Sequence, residues 1–168
     1  MKVEIVKLDD FGRGICFVND KVTFVPNTVP GDIANIKIIK EHKKYNEAIL
    51  VDLVNPSSNR IDALCPYFGI CGGCTLQTLS YEKGIDYKKK KVINYFKKMG
   101  LIINPSLITN DTPYNYRNKI TLKIVNRKIG YFKNNSHEIV EINKCLLAEN
   151  KINEVITVSY THLRAHET

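Results

Sequence analysis

The chain has 168 residues, 43% hydrophobic and 25% charged, with a formal net charge of +8. That length suits one medium domain or two small ones, and the composition is that of a globular rather than a disordered protein. No apolar run approaches the ~18 residues needed to cross a bilayer, so no membrane partner is expected. The opening MKVEIVKLDD alternates like a strand and lacks the apolar core of a secretion signal, so the expected location is the cytoplasm. The basic balance makes nucleic acid the first polyanion to consider, although a chain so rich in lysine, isoleucine and asparagine is also basic for compositional reasons alone.

Residues 1–55 read as all-β. Val3 and Ile5 alternate with polar residues, and Phe11-Gly12-Arg13-Gly14 makes a turn into a strand at 15–18. Asn19-Asp20 turns into 21–25, Pro26 and Pro30-Gly31-Asp32 break the chain, and 33–39 and 47–54 complete five short strands. Such strands with Gly/Pro turns predict a small closed barrel of OB type, a fold much used for RNA and single strands. Pro56-Ser57-Ser58-Asn59 reads as a linker, and a cysteine-rich loop follows. The spacing then predicts a helix over 80–99, ended by Gly100. Tyr81, Ile85, Val92, Phe96 and Met99 form its apolar stripe, and lysines, among them Lys88, Lys89, Lys90 and Lys91, occupy the other faces. Strands at 119–125 and 128–132 flank Asn126-Arg127 as a hairpin, and 138–142 is a third strand. Residues 158–168 (VSYTHLRAHET) have no clear period and are expected to be a non-native tail. Without His162 and His166 no histidine cluster suggests a metal site. The fold class is thus mainly β with α: an OB-like barrel, then an α+β central region carrying a cysteine loop.

Five cysteines, an odd number, sit in a chain with no export signal, so disulfides are not expected. Three lie in Cys65-Pro66-Tyr67-Phe68-Gly69-Ile70-Cys71-Gly72-Gly73-Cys74, a C-x5-C-x2-C spacing. The close pair can grip one metal centre from a tight loop, and the two glycines let the peptide approach a bulky inorganic core. A structural zinc site usually has two short-spaced pairs. Three thiols in a loop plus one distant thiol fit a cubane [4Fe–4S] cluster better. Of the two remaining cysteines, Cys16 sits mid-strand like a small core residue, whereas Cys145 follows the last strand and is the better candidate for the fourth ligand. The alternative for the loop is a set of buried, inert thiols. The C-x3-C-x2-C spacing of radical enzymes is absent.

These motifs together resemble the bacterial RNA uracil-C5 methyltransferases that act on ribosomal RNA. Residues 1–55, with Val25-Pro26-Asn27-Thr28-Val29-Pro30-Gly31-Asp32, are similar to a TRAM domain, an OB-type RNA-binding module. Residues 65–77 (CPYFGICGGCTLQ) resemble the iron–sulfur loop of that family, and Tyr116-Arg117-Asn118-Lys119 and Gly130-Tyr131-Phe132 its central β-region. Residues 136–142 (SHEIVEI), leading to Cys145, resemble the segment with the fourth cluster ligand. The resemblance implies a TRAM domain at 1–55, an iron–sulfur and RNA-recognition region at 56–157, and Cys65, Cys71, Cys74 and Cys145 as ligands of a 4Fe–4S cluster. It also implies an enzyme that transfers a methyl group from S-adenosyl-L-methionine to C5 of a uridine in 23S ribosomal RNA, by covalent catalysis on an unstacked base. In the family that chemistry belongs to a C-terminal Rossmann-like domain. The chain is expected to lack this domain, because Gly12-x-Gly14 has Phe17 where a third glycine is needed. No catalytic residue is therefore assigned, S-adenosyl-L-methionine is expected only of a full-length enzyme, and the 168 residues alone are expected to be inactive and monomeric. The resemblance further implies that the helix packs on the catalytic domain, so that part of its stripe lacks cover; the alternative is ordinary core.

For RNA contacts the candidates are Arg13, Lys88, Lys89, Lys90, Lys91, Arg117 and Lys119. The lysine run can bind phosphates or be a solvated helix face. Phe11 and Arg13 lie in the first barrel turn, and Arg117 and Lys119 at a strand start within a family motif. His137 can stack on a base or be a hydrogen-bonded turn residue. Two rival classes are a non-enzymatic RNA-binding module with a zinc knot and, less suited to this charge, an electron carrier.

Overall fold

The computed structural model describes residues 1–134 and 136–165, with side chains through Ser159. It is mainly β with two helices, and it divides into two compact units: Met1–Leu64 with Thr75–Leu107, and Cys65–Cys74 with Ile108–Thr168. The units are drawn differently from the domains expected at 1–55 and 56–157, because the first helix groups with the N-terminal strands.

The first unit holds a six-stranded mixed sheet made of β1 (Lys2–Glu4), β2 (Lys7–Leu8), β3 (Gly14–Val18), β4 (Lys21–Val25), β5 (Ile33–Glu41) and β6 (Tyr45–Asn55), in the order β1-β5-β6-β4-β3-β2. Six strands replace the five expected because the first is divided between two neighbours. Its front half pairs antiparallel with β5 (Lys2 opposite Asn35) and its back half with β3 (Lys7 opposite Ile15). Ile5 N–H donates to Asp32 O and Val6 N–H to Ile15 O, both at 2.9 Å. One segment therefore holds both ends of the sheet. The β5–β6 hairpin makes the curvature possible, since its register shifts at three places and bulges of this kind bend and twist a strand.

Two-residue turns of opposite hand to the common ones fit the twist of a hairpin. Asn19 and Asp20, with φ of 50° and 59°, supply one between β3 and β4. Inside the sheet Ile5, Cys16, Val25, Ala34, Ile36 and Ala48 form the core, with Val18, Ile38 and Leu50 packed against it. Gly14 sits where a Cβ would collide with Thr28 and Ile5, so the close approach of strand to loop needs glycine.

The 25–32 loop closes around a charge. Asp32 is fully buried and accepts from Val29 N–H at 2.8 Å, Ser57 N–H at 2.9 Å and Arg60 at 2.7 Å. Arg60 also donates to Asn27 O at 2.8 Å. Burial pushes the Asp32 carboxyl up, but the hydrogen bonds from Arg60, Ser57 and Val29 and the Arg60 charge outweigh it and hold it below the usual range.

Helix α1 (Tyr81–Lys98) falls within one residue of the expected span at each end. Gly100, with φ of 79°, closes it: its N–H donates to Lys97 O and that of Leu101 to Phe96 O. Tyr87 Oη donates to Asp9 O and Lys91 Nζ to Asp10 O, both at 2.6 Å. Of the expected stripe, Tyr81, Ile85 and Phe96 are half-buried, while Val92 and Met99 are exposed.

The second unit holds β7 (Lys123–Val125), β8 (Lys128–Phe132) and β9 (Ile139–Glu141) in an antiparallel sheet of that order, and helix α2 (Asn150–Ala165). Asn126 and Arg127 turn between β7 and β8 with φ of 49° and 61°. The strand expected at 119–125 is only its last three residues, and Lys119 lies in irregular chain instead of at a strand start. Helix α2 has no counterpart among the expected elements. Ile152, Val155, Ile156, Thr157 and Val158 are branched residues that favour strands, and the tertiary setting overrides them. The helix continues across position 158, where the non-native tail is expected to begin; His166, Glu167 and Thr168 lie outside the described residues. Among the described residues, Ile129, Ile142, Leu147, Ala148 and Ile156 are the unit's buried apolar residues.

Candidate metal centre and nucleic-acid surfaces

The cysteine loop is stitched to the small sheet by its backbone. Gly72 N–H donates to Phe132 O at 3.0 Å and Asn134 N–H to Ile70 O at 3.3 Å. A Cβ on Gly72 would stand 3.0 Å from that Phe132 oxygen, which explains a glycine there. The loop also reaches the segment before Cys145, since Asn143 N–H donates to Tyr67 Oη at 3.1 Å. Asn153, buried in α2, fixes the Cys145 backbone: its Oδ1 accepts from Cys145 N–H at 2.8 Å and its Nδ2 donates to the Cys145 and Ala148 carbonyls at 3.2 Å. The 115–117 chain then pairs beside it, with Arg117 N–H on Leu147 O at 2.8 Å and Glu149 N–H on Arg117 O at 3.0 Å.

These links bring Cys65, Cys71, Cys74 and Cys145 into one electrostatic neighbourhood. Burial raises the Cys71 thiol; the Gly73 N–H lowers it; the charges of Cys74, Cys65 and Cys145 raise it again. Gly73 N–H points at Cys71 Sγ from 3.4 Å, and Tyr131 Oη donates to Cys145 Sγ at 3.9 Å. Tyr131 is pushed well up, first by burial and then by Cys145, so it is a proton donor at neutral pH. Burial disfavours the Arg117 charge, yet its hydrogen bond to Tyr116 and the fields of Tyr116, Cys74 and Cys145 outweigh that and raise its pKa. Sulfur-directed donors and a nearby cation are the surroundings an anionic, thiolate-held group needs. Among the described residues no group of three or more His, Cys, Asp and Glu side chains is placed to hold a metal ion. Cys16 stands apart, fully buried in the other unit's core with its Sγ 3.7 Å from Thr23 O.

The basic candidates separate into distinct settings. Arg13 is tied to Asp9, its Nε and Nη2 each 2.7 Å from Oδ2, and its guanidinium lies 4.3 Å from the Phe24 ring centroid. Lys88 and Lys90 are exposed, Lys89 is half-buried, and Lys91 is held by Asp10. Arg117 is half-buried beside the thiols, Lys119 is exposed, and the exposed His137 meets Phe132 edge-on at 5.2 Å. Tyr131, Tyr67, Asn153 and Asp9 are not among the residues that the sequence singles out for a role. Tyr131 lies in a family-like motif, but nothing in a sequence says that its hydroxyl meets a sulfur fourteen residues on.

Residues 1–51 match the TRAM domain. Over 163 residues the chain is 35% identical to an uncharacterised RNA methyltransferase of Clostridium acetobutylicum, covering 90% of this chain and 35% of that protein. The chain is thus similar to RNA methyltransferases and begins with a TRAM match. More particularly, it is 35% identical over 167 residues to the 23S rRNA (uracil(1939)-C(5))-methyltransferase RlmD of Francisella tularensis subsp. novicida, covering 93% of this chain and 37% of that one. The resemblance to the RNA uracil-C5 methyltransferases is borne out by such relatives. The tRNA (uracil-54, C5)-methyltransferase of Pyrococcus abyssi, solved with S-adenosyl-L-homocysteine, shares the fold: TM-score 0.70 and 24% identity, over 98% of this chain and 37% of that one. The chain thus spans about a third of the length of these relatives. Among the described residues no helix is long and apolar enough to cross a membrane.

Proposed function

We propose that these residues are the RNA-binding and iron–sulfur portion of a cytoplasmic, monomeric, S-adenosyl-L-methionine-dependent methyltransferase that forms 5-methyluridine in 23S ribosomal RNA. The observation that carries this reading is that the cysteine loop and the Cys145 segment are joined in one unit, Asn143 N–H donating to Tyr67 Oη, in a chain with an N-terminal TRAM match. The sheet whose ends share residues 2–8 supports an OB-like barrel at 1–55. The central region at 56–157 would carry the cluster, and 158–168 would be a foreign tail.

Cys65, Cys71, Cys74 and Cys145 would hold a 4Fe–4S cluster. Such a cage would draw three sulfurs from the 65–74 loop and one from the 143–149 segment, whose thiols share one electrostatic neighbourhood. With four cysteines as ligands no iron is open to substrate, so the group would tie the loop to the 143–149 segment. Gly73 and Tyr131 would steady two of the sulfurs, and Arg117 would offset the negative charge. Arg13, Lys88, Lys89, Lys90, Lys91, Arg117 and Lys119 remain the residues we assign to RNA. The methyl-donor site and the attacking nucleophile would belong to a separate catalytic domain, so these 168 residues alone transfer no methyl group.

Metal analysis and the visible spectrum of anaerobically purified protein test this. A brown, iron- and sulfide-loaded protein is expected, with iron lost in Cys145→Ala and kept in Cys16→Ala. Equal iron in the two variants, or a colourless zinc-loaded protein, defeats the cluster assignment and favours the zinc-knot module.

A further inference from the structure

Helix α2 carries a buried residue whose side-chain bonds all leave the helix. The carboxamide of Asn153 is turned back on the chain that precedes α2. Its Oδ1 accepts from Cys145 N–H at 2.8 Å, and its Nδ2 donates to Cys145 O and to Ala148 O, both at 3.2 Å. This set is specific to a primary amide, because the oxygen and both hydrogens of the nitrogen are in use. Aspartate loses two donors, and alanine loses all three bonds. Asparagine is also a poor helix former, since its side chain competes for backbone groups. Its place inside α2 therefore serves the turn at 145–149 more than the helix.

The same turn is held along the chain beside it. Arg117 N–H donates to Leu147 O at 2.8 Å and Glu149 N–H to Arg117 O at 3.0 Å, and Ala148 N–H closes the turn on Cys145 O at 3.1 Å. Leu147 and Ala148 are buried. With its N–H and its C=O both bonded, Cys145 has the χ1 rotation left to place its sulfur. Tyr131 Oη, 3.9 Å from Sγ, marks the side that the sulfur takes. All of these partners are protein groups of one unit.

We infer that Asn153 is a positioning residue for the fourth sulfur: it fixes the Cys145 backbone before any metal arrives, so that the loop at 65–74 meets a thiol already in place. This rests on the reading of Cys145 as a cluster ligand and adds what holds it there. The other three sulfurs share one short loop, whereas Cys145 must be delivered by the fold. Groups that orient a ligand matter nearly as much as the ligand itself, and losing one weakens metal binding about 10–100-fold. Without Asn153 the three loop sulfurs keep their grip and the fourth is loose.

The test uses the whole chain, purified without oxygen. Asn153→Ala and the near-isosteric Asn153→Asp, which keeps the acceptor and loses both donors, are each expected to give up iron to a ferrous chelator about tenfold faster than wild type. Ferricyanide is expected to convert both variants to a paramagnetic three-iron core, one electron passing to the oxidant and one iron leaving as Fe²⁺, under conditions that leave the wild type intact. Ile156→Ala, which thins the buried packing of the same helix and leaves the three Asn153 bonds in place, is expected to match the wild type in both respects. Wild-type release rates in both Asn153 variants overturn the inference and leave the cluster standing. Equally fast release from Ile156→Ala also overturns it, because the effect is then a general loosening of α2. A second measurement needs no variant. In the iron-free wild type the Cys145 amide is expected to be protected from hydrogen exchange; free exchange there overturns the inference, since the metal and not Asn153 then orders the turn. If the wild type takes up no iron on reconstitution with Fe²⁺ and sulfide, the cluster reading itself falls, and the inference with it.

Discussion

The two units solve the same problem with different means. The first builds an apolar interior from alternate residues of a curled sheet: Ile5, Val25, Ala34, Ile36 and Ala48 are nearly or wholly out of water. The second has three strands of at most five residues, and its described buried apolar residues are Ile129, Ile142, Leu147, Ala148 and Ile156. Small assemblies with a thin core usually need a staple, either covalent or metallic. Four of the thiols lie in the unit with the thinner core, and the fifth is a packing residue in the other. A cysteine is therefore interpreted by the core around it as much as by its spacing.

Three perturbations sharpen this contrast. The largest effect is expected in the first unit, where Asp32→Asn leaves Arg60 without its buried partner and costs about 3 kcal/mol, read by urea unfolding. The same pair sets a pH dependence. The folded carboxyl lies below its unfolded value of about 3.9, so its stabilisation is fully present above that value and lost as pH falls through the depressed one. An acid midpoint that is the same in Asp32→Asn and wild type would remove Asp32 from this role. A smaller effect is expected in the second unit. Tyr131→Phe removes the hydroxyl donor to Cys145 Sγ, worth about 1 kcal/mol. With the proposed cluster in place, iron content should be retained while the reduction potential falls, because the donor favours the more negative reduced state. An unchanged potential would mean that the hydroxyl serves packing alone. The smallest effect concerns Lys88 and Lys90, exposed on α1. Changing both to alanine should lower the slope of log affinity against log salt by about one per lost phosphate contact without altering stability. A parallel salt plot for the double variant would make them a solvated face.

The first unit is largely legible in the sequence because its signals are local. Alternation places β3 to β6, Asn19-Asp20 marks the hairpin, and Gly100 marks the end of α1. What the sequence hides is set by distant partners. The first strand is divided because its two halves bond to β5 and β3, which no periodicity encodes. Helix α2 contradicts the strand preference of its own residues, and no local pattern says that Asn153 bonds to the Cys145 backbone. In the candidate site the spacing points to the sulfurs, but the donors that surround them come from elsewhere in the fold. Arg13, whose turn position suggests a phosphate-binding cation, is instead locked to Asp9 between two phenyl rings, because the strand beyond the turn brings Phe24 beneath it.

The loop at 65–74 and its partners at 132–145 are separated by a long intervening stretch of chain, much of which belongs to the other unit. During synthesis at roughly 5–20 residues per second, the first three sulfurs leave the ribosome several seconds before the fourth exists. For that interval the loop lacks its backbone partners at 132–145, so its three thiols are more open to oxidants than in the folded chain.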